Sequence, residues 1–438
     1  GPLVLYDSPE YLSPESPEGV PPPAWMAPEV DRRAILAHGR EFWSVRNHEA
    51  TEPPFYYAVA GAWYRLGRAI GLAGGHIFYW TRLLNSALFA GVVWLAYLFA
   101  RESCPGNRSL GLGVAVLATV FPQDSFFGVS NDGPLAPLLF AAALYSLLRI
   151  ARSPRPWPQY AGAGLLVAAT FLTKYSNVAI VGALLITLAV AGRSASVESS
   201  RPDAWRLAVL ALVALAPVTM WFTRNYLLSG DVTGSQQKYA MLGWTLKSLG
   251  AIWEHPFIGL SAPGAFVRDF LHGVLATLWR GEIAWHGKPM ALRGVDYLYS
   301  ISSALFLAFA VIRARGARDR AEKTAIWASA ATVIFAIGSL AVLSTVFDFG
   351  EHTPNPSARW PYFTNGRLIV GILVPFVTLY VYGLEWGLTK ARVRGALVPV
   401  VVGLALVAAA SQVIVTLPAF QSVYNWFHLL QAEGAGSR

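Results

Sequence analysis

Ten strongly apolar stretches divide this chain, and basic residues collect in every second gap between them. A membrane-spanning helix needs about 20 mostly apolar residues. Only 13% of the residues are charged, against about 25% in a typical soluble domain. The sequence therefore predicts an all-α polytopic membrane protein with about ten transmembrane helices. The apolar segments are 83–101, 109–127, 133–151, 159–174, 176–193, 205–223, 295–313, 325–346, 366–384 and 395–417.

The basic residues indicate which gaps face the cytoplasm, because Lys and Arg in short loops resist translocation. The intervening gaps hold few of them: Lys174, Arg359 and Arg367. The formal charge of +9 is thus explained by membrane topology, and no nucleic-acid partner is expected. The residues of the basic gaps are Arg101, Arg108, Arg149, Arg152, Arg155, Arg193, Arg201, Arg206, Arg313, Arg315, Arg318, Arg320, Lys323, Lys390, Arg392 and Arg394.

This sidedness predicts four regions. Residues 1–82 form an external first loop with interfacial helices, and residues 83–223 form a first transmembrane bundle. Residues 224–294 form an external loop with interfacial or re-entrant helices, and residues 295–438 form a second transmembrane bundle. The predicted location is the plasma membrane (the bacterial inner membrane), with the active face outside.

Residues 53–73 predict an amphipathic helix that lies in the membrane interface. The segment opens with two prolines, which suit a helix start, and it is rich in Tyr and Trp, which favour the interface. The alternative is an eleventh spanning helix, but Arg65 and Arg68 would then each cost about 2.5–3.5 kcal/mol at mid-depth. An external first loop normally follows a membrane helix, so we expect an upstream helix that is removed or supplied by a partner subunit.

Unusual polar residues gather at the external helix ends, and ionisable residues at membrane depth indicate function. Arginine binds phosphate oxygens in bidentate fashion, and a carboxylate can act as a general base. This mixture predicts a site for a phosphate-bearing substrate. The candidate acids are Asp7, Glu49 and Asp132, and the candidate phosphate-binding residues are His48, Lys174, Arg224 and Arg367.

Each candidate also has a purely structural interpretation. Lys174, Arg224 and Arg367 could extend to lipid headgroups, and Asp132 could cap the helix that follows it. The histidines His272, His286 and His352 lack metal-ligand spacing, and a single cysteine excludes an intrachain disulfide. No metal ligand is predicted, although a divalent metal ion is left open as a cofactor.

Five short motifs resemble the polyprenyl-phosphate-sugar-dependent glycosyltransferases of the GT-C superfamily, which include protein mannosyltransferase and aminoarabinose transferase relatives. They stand in the family's order and lie mainly on the predicted external side. They are HEATEPPFYY at 48–57, RLLN at 82–85, PQDSFFGVSNDGPL at 122–135, WFTRNYLLSGDVTG at 221–234 and TNGRLIVGILVP at 364–375.

The resemblance implies a mechanism. An acid in the first external loop, matched here by Asp7, would deprotonate an acceptor hydroxyl, and basic residues would hold the phosphate of a polyprenyl-phosphate-linked sugar. The chain departs from the family where Ser8 follows Asp7 and where Thr51-Glu52 precedes the prolines. These departures leave open an alternative: a catalytically inactive GT-C-like scaffold or lipid-binding subunit of a larger membrane complex.

Overall fold

The computed structural model describes residues 29, 30, 33, 52–123, 133–153, 155–193, 204–257, 262–282, 284, 285, 288–350, 356–393 and 395–421. These residues are overwhelmingly helical, which confirms the predicted all-α architecture. The helices of the first half are α1 Phe55–Ala69, α2 Gly74–Ser103, α3 Arg108–Thr119, α4 Leu135–Arg152, α5 Trp157–Phe171, a 3₁₀ turn Tyr175–Val178, α6 Ala179–Arg193 and α7 Ala204–Ser229.

The second half contains short helices followed by four long ones. The short helices are α8 Gln236–Met241, α9 Leu249–Ile252, α10 Ala262–Ala265, a π-helical turn Phe266–Leu271 and α11 His272–Arg280. The long ones are α12 Arg293–Gly316, α13 Arg320–Val346, α14 Leu373–Lys390 after a 3₁₀ segment Gly366–Ile372, and α15 Leu397–Gln421.

In the part of the chain that the structure describes, seven helical segments are long and apolar enough to cross a membrane. They correspond to α2, α4, α7, α12, α13, α14 with its 3₁₀ start, and α15. The other predicted segments coincide with the shorter helices α3, α5 and α6. Helix α3 ends at Thr119 rather than at 127, and residues 124–132 lie outside the described ranges. The count of ten spans therefore stays a prediction.

Helix α1 is too short to be the eleventh span. Its 15 residues rise about 22 Å, whereas the hydrocarbon core is about 30 Å thick. It is held against α2 by Trp63 and Trp80, whose rings stack at 4.3 Å. Each indole N–H donates to the other residue's carbonyl oxygen, at 2.7 and 2.8 Å. The reciprocal pair fixes the angle between the two helices.

Glycines allow the closest helix crossings, as is common where small residues let membrane helices approach. A Cβ on Gly383 of α14 would meet the Phe306 carbonyl oxygen of α12 at 1.8 Å, and one on Gly164 of α5 would meet the Leu210 oxygen of α7 at 2.6 Å. Helix α14 is central: 89% of its apolar stretch is buried. In α7 only 11% of the apolar stretch is buried.

Among the described residues, two short antiparallel strand pairs lie between the long helices. Strand β1 (Thr245–Leu246) pairs with β4 (Phe347–Asp348), and β2 (Ala284–Trp285) pairs with β3 (Lys288–Pro289). The first pair ties the segment after α7 to the end of α13.

The predicted basic gaps meet at one end of the helices. Arg152 pairs with Glu102, Arg206 donates to the Arg155 carbonyl oxygen, and Arg313 pairs with Glu385. We call this the arginine-rich end. The opposite helix ends carry Lys174, Arg224 and Arg367. Arg367 and Glu385 are 18 residues apart, which corresponds to about 27 Å along a helix and approaches the thickness of a bilayer core.

Candidate functional site

The last turns of α7 form one wall of the candidate site. The guanidinium carbon of Arg224 lies 4.4 Å from the centre of the Trp221 ring, a cation–π arrangement. An Arg224 guanidinium nitrogen also donates to Asn225 Oδ1 at 2.9 Å. Asn225 is buried, and its Nδ2 donates to the Tyr175 hydroxyl at 3.2 Å, as does Trp221 Nε1 at 3.0 Å. Tyr175 therefore links the end of α7 to the 3₁₀ turn after α5.

The loop after α7 is organised by Asp231. Its carboxylate accepts the backbone N–H groups of Thr233 at 3.2 Å and Gln236 at 3.0 Å. Burial alone would raise the pKa of Asp231, but these donors outweigh it and hold the pKa below its ordinary value. Asn225 Nδ2 reaches the Thr233 carbonyl oxygen at 3.4 Å. The GDVTG loop is thus a self-capped turn fastened to α7.

Lys174 and Arg367 meet across the two halves of the chain. The Lys174 ammonium donates to the Arg367 carbonyl oxygen at 3.3 Å, and the Ser176 hydroxyl donates to the Leu368 carbonyl oxygen. The two contacts hold the turn after α5 against the 3₁₀ segment that starts α14. The Arg367 side chain is 49% exposed, so its guanidinium lies within reach of a ligand.

Glu282 lies beside Arg367, and its side chain is largely buried. One of its carboxylate oxygens, Oε2, lies 3.6 Å from Arg367 Nε and accepts a hydrogen bond from Asn365 Nδ2. The other, Oε1, is buried and has no hydrogen-bond partner among the described residues. Burial raises the pKa of Glu282, while Arg367, Asn365 and Arg280 lower it; burial has the larger effect.

The backbone around Glu282 and Arg367 is tightly docked. Gly281 has φ +74°, a conformation that favours glycine, and it turns the chain sharply after α11. The Thr277 hydroxyl donates to the Thr364 carbonyl oxygen at 2.6 Å and accepts the Gly366 N–H at 2.9 Å. A Cβ on Gly366 would meet the Leu278 nitrogen at 2.2 Å. Residues 364–367 are therefore packed tightly against the end of α11.

The first-loop segment reaches the same end of the bundle. The backbone N–H of Phe55 donates to the Leu172 carbonyl oxygen at 2.8 Å, two residues before Lys174. Glu52 pairs with Lys238 of α8 at 2.9 Å. The residues just before α1 thus lie beside the turn that carries Lys174.

The structure brings three predicted site residues into one connected cluster. Lys174 contacts the backbone of Arg367, and Tyr175 connects this pair to Arg224 through Trp221 and Asn225. The other predicted residues, Asp7, His48, Glu49 and Asp132, lie outside the described residues. Within the described ranges, no group of three or more His, Cys, Asp or Glu side chains could hold a metal ion.

The predicted site residues do not include Glu282, Asn365 or Asn225. Asn225 directly follows Arg224 and Asn365 lies two residues before Arg367, and both stand inside motifs that resemble the GT-C family. Glu282 carries no such signal, because it lies in a mixed polar and aromatic stretch without periodicity. Only the docking of α11 on residues 364–367 buries it.

Comparison with known proteins gives one family match. Residues 60–221 match the family described as dolichyl-phosphate-mannose-protein mannosyltransferase. This match contains α2 to α6, Lys174, Tyr175 and Trp221, and it confirms over that segment the predicted resemblance to protein mannosyltransferases of the GT-C superfamily. No curated protein sequence matches the chain.

Solved structures give weaker similarities. A crystal structure of an Archaeoglobus fulgidus oligosaccharyltransferase with Zn and sulfate is 12% identical with a TM-score of 0.40, and the match covers 85% of this chain and 44% of that one. The same organism's AglB, in complex with an inhibitory peptide and a dolichol-phosphate, is 13% identical with a TM-score of 0.39, covering 84% and 47%. The chain thus spans less than half the length of these proteins.

Proposed function

We propose that this chain is a GT-C membrane glycosyltransferase that moves a sugar from a polyprenyl-phosphate donor to an acceptor on the external face. The observation that carries the proposal is the joining of Lys174, Arg224 and Arg367 in one cluster, away from the arginine-rich end. The family match over residues 60–221 supports the reaction class.

The chemistry of the cluster suits a lipid-linked phosphodiester. Such a donor carries one negative charge, and Arg224 and Arg367 present planar guanidinium groups that bind phosphate oxygens in bidentate fashion. Lys174 adds a compact positive charge beside them. These groups would also stabilise the charge that develops on the phosphate as the sugar leaves.

The acids that complete the proposal come from the predicted first loop and the turn before α4. Asp7 is proposed as the general base that takes the acceptor proton, Glu49 and Asp132 as supporting acids, and His48 as a further phosphate contact. The position of α1 and Glu52 supports this proposal, because the chain just after His48 and Glu49 arrives next to Lys174.

The proposal is tested by binding of polyprenyl-phosphate-mannose to the purified full chain in nanodiscs. We expect Arg224→Gln and Arg367→Gln each to weaken binding about 10- to 100-fold, because a charge-assisted hydrogen bond contributes about 1.5–3 kcal/mol. Arg318→Gln is the matched control, since this exposed arginine lies at the opposite helix ends. Equal binding by all four proteins would contradict the proposed site.

Catalysis is tested separately with the same donor carrying a labelled sugar. We expect Asp7→Asn to abolish sugar release while donor binding stays within about twofold, because a base acts on the acceptor and not on the phosphate. Donor binding without any release by the unaltered protein would favour the scaffold or lipid-binding subunit. Full activity of the Asp7→Asn variant would remove Asp7 from the mechanism.

A further inference from the structure

Glu282 is a carboxylate placed where a phosphate-binding site would be expected to exclude one. It lies 3.6 Å from Arg367, and its side chain is 23% exposed. A carboxylate beside an arginine competes with an incoming phosphate for the same positive charge. The ionised Glu282 carboxylate is therefore expected to weaken phosphate binding by Arg367.

We propose that Glu282 positions Arg367 for the donor phosphate and takes up one proton when that phosphate binds. The proposal deepens the proposed function and depends on it. Glu282 is a positioning residue here, because its contacts are with Arg367 and Asn365 and not with the reacting atoms.

The contacts of Glu282 hold the Arg367 side chain in one orientation. Oε2 contacts Arg367 Nε and Asn365 Nδ2, so the arginine has a fixed partner before any ligand arrives. The docking of Gly366 on Thr277 keeps the two backbones in register. Arg367 is therefore oriented in advance, which reduces the entropy lost on binding.

Two described cations, Arg367 and Arg280, act on Glu282. Arg280 precedes it at the end of α11 and is paired with Asp296 of α12 at 2.8 Å. Arg367 faces it from the 3₁₀ segment, and Lys174, from the turn after α5, donates to the Arg367 carbonyl oxygen. Among these described groups the cations exceed the carboxylates by one.

Glu282 Oε1, which does not contact the Asn365 amide, is the atom that would receive the proton. In the empty site the positive charge of Arg367 favours the ionised carboxylate, although burial already raises the pKa of Glu282 above its ordinary value. A bound phosphate takes up part of the Arg367 charge and adds a negative charge nearby. Both effects raise the Glu282 pKa further, so binding draws a proton onto the carboxyl group.

The sign of the pH effect follows from this linkage. Between the Glu282 pKa of the empty site and the higher pKa of the occupied site, binding takes up a proton. Affinity therefore falls as pH rises through that window, by at most about tenfold per pH unit. A phosphodiester is the right probe, because it lacks the second ionisation near pH 6 that a phosphate monoester has.

The test is the Kd of polyprenyl-phosphate-mannose for the full chain in nanodiscs, from about pH 5 to about pH 8. We expect the unaltered protein to lose affinity as pH rises. Glu282→Gln, which keeps a hydrogen-bonding side chain, should lose most of this slope. Glu254→Gln is the matched control, since Glu254 is exposed in the segment after α9. Its slope should equal that of the unaltered protein.

A second measurement counts the protons directly. Calorimetry in two buffers of different ionisation enthalpy reports the protons taken up on binding, and we expect a positive number for the unaltered protein that is smaller by up to one for Glu282→Gln. Equal slopes for the unaltered protein and Glu282→Gln, or no proton uptake, overturn the role of Glu282 while the proposed function stands. Absence of binding by the unaltered protein overturns both.

Discussion

The two ends of the helix bundle use the same residue types in different ways. At the arginine-rich end, Arg313 pairs with Glu385 at 2.7 Å, lies over the Tyr382 ring at 3.8 Å and approaches Glu322 at 3.9 Å. At the opposite end, Arg224 stacks on Trp221 and donates to an amide oxygen, and Lys174 donates to a carbonyl oxygen. The first arrangement neutralises charge, whereas the contacts described for Arg224 and Lys174 orient these two cations through neutral groups.

The difference separates a structural use of arginine from a binding use. A carboxylate partner cancels the field of a guanidinium and ties helices together, as Glu385 also does by accepting from Asn107 Nδ2 at 2.6 Å. An aromatic ring or a carbonyl oxygen fixes the direction of a cation and leaves its charge to act on a ligand. Arg367 is intermediate, because its carboxylate partner Glu282 has a raised pKa.

The largest expected effect lies at the arginine-rich end. Arg313→Gln leaves Glu385 and Glu322 without their cation. We expect the free energy of unfolding to fall by about 3 kcal/mol, the lower limit of the usual range for breaking a buried ion pair. The measurement is denaturant unfolding in detergent micelles. Donor binding by the folded variant should be unchanged, and weakened binding would break the division between the two ends.

The next effect concerns the docking of residues 364–367. Gly366→Ala places a methyl group against the Leu278 backbone, and we expect it to lower the free energy of unfolding by about 1–3 kcal/mol. It should also weaken donor binding, because Arg367 moves with this backbone. Gly338→Ala in α13 is the control, since its Cβ would meet nothing within 4 Å. Equal effects of the two substitutions would show that the docking is unimportant.

The smallest expected effect concerns Asp231, the acid in the loop after α7. Asp231→Asn should cost about 1 kcal/mol near neutral pH, because the folded state favours the ionised carboxylate. The folded pKa is lowered from the ordinary 3.8, so this contribution is present above that value and is lost as pH falls through the folded pKa. Unfolding of both proteins, measured as a function of pH, should show a gap that closes in acid. A constant gap would show that charge is irrelevant at Asp231.

Much of the fold follows from the sequence, because each long apolar run needs an internally hydrogen-bonded helix in a membrane. The same logic placed Lys174, Arg224 and Arg367 at one end, since their helices alternate in direction. Helix length was less predictable, because the apolar run ends at 223 whereas α7 continues through Asn225 to Ser229. The Asn225 amide can be accommodated there because it donates hydrogen bonds to the Tyr175 hydroxyl and the Thr233 carbonyl oxygen.

The carboxylate beside Arg367 was not predictable by this reasoning. Glu282 and Asn365 are 83 residues apart in the chain, and their meeting depends on the fit of Gly366 against α11. That fit is a matter of backbone shape, which neither hydropathy nor charge alternation encodes. Local patterns thus identified the cations, while tertiary docking decided which acid accompanies them.

The contrast between the buried α14 and the exposed α7 restricts the route by which an oily substrate arrives. Because α14 is largely buried, a molecule anchored in the hydrocarbon would approach along an exposed helix such as α7. Met220 and Leu215 are 72% and 62% exposed there, about one turn and two and a half turns before Arg224. On the proposed function, the head of such a molecule would meet Arg224 first and Arg367 afterwards.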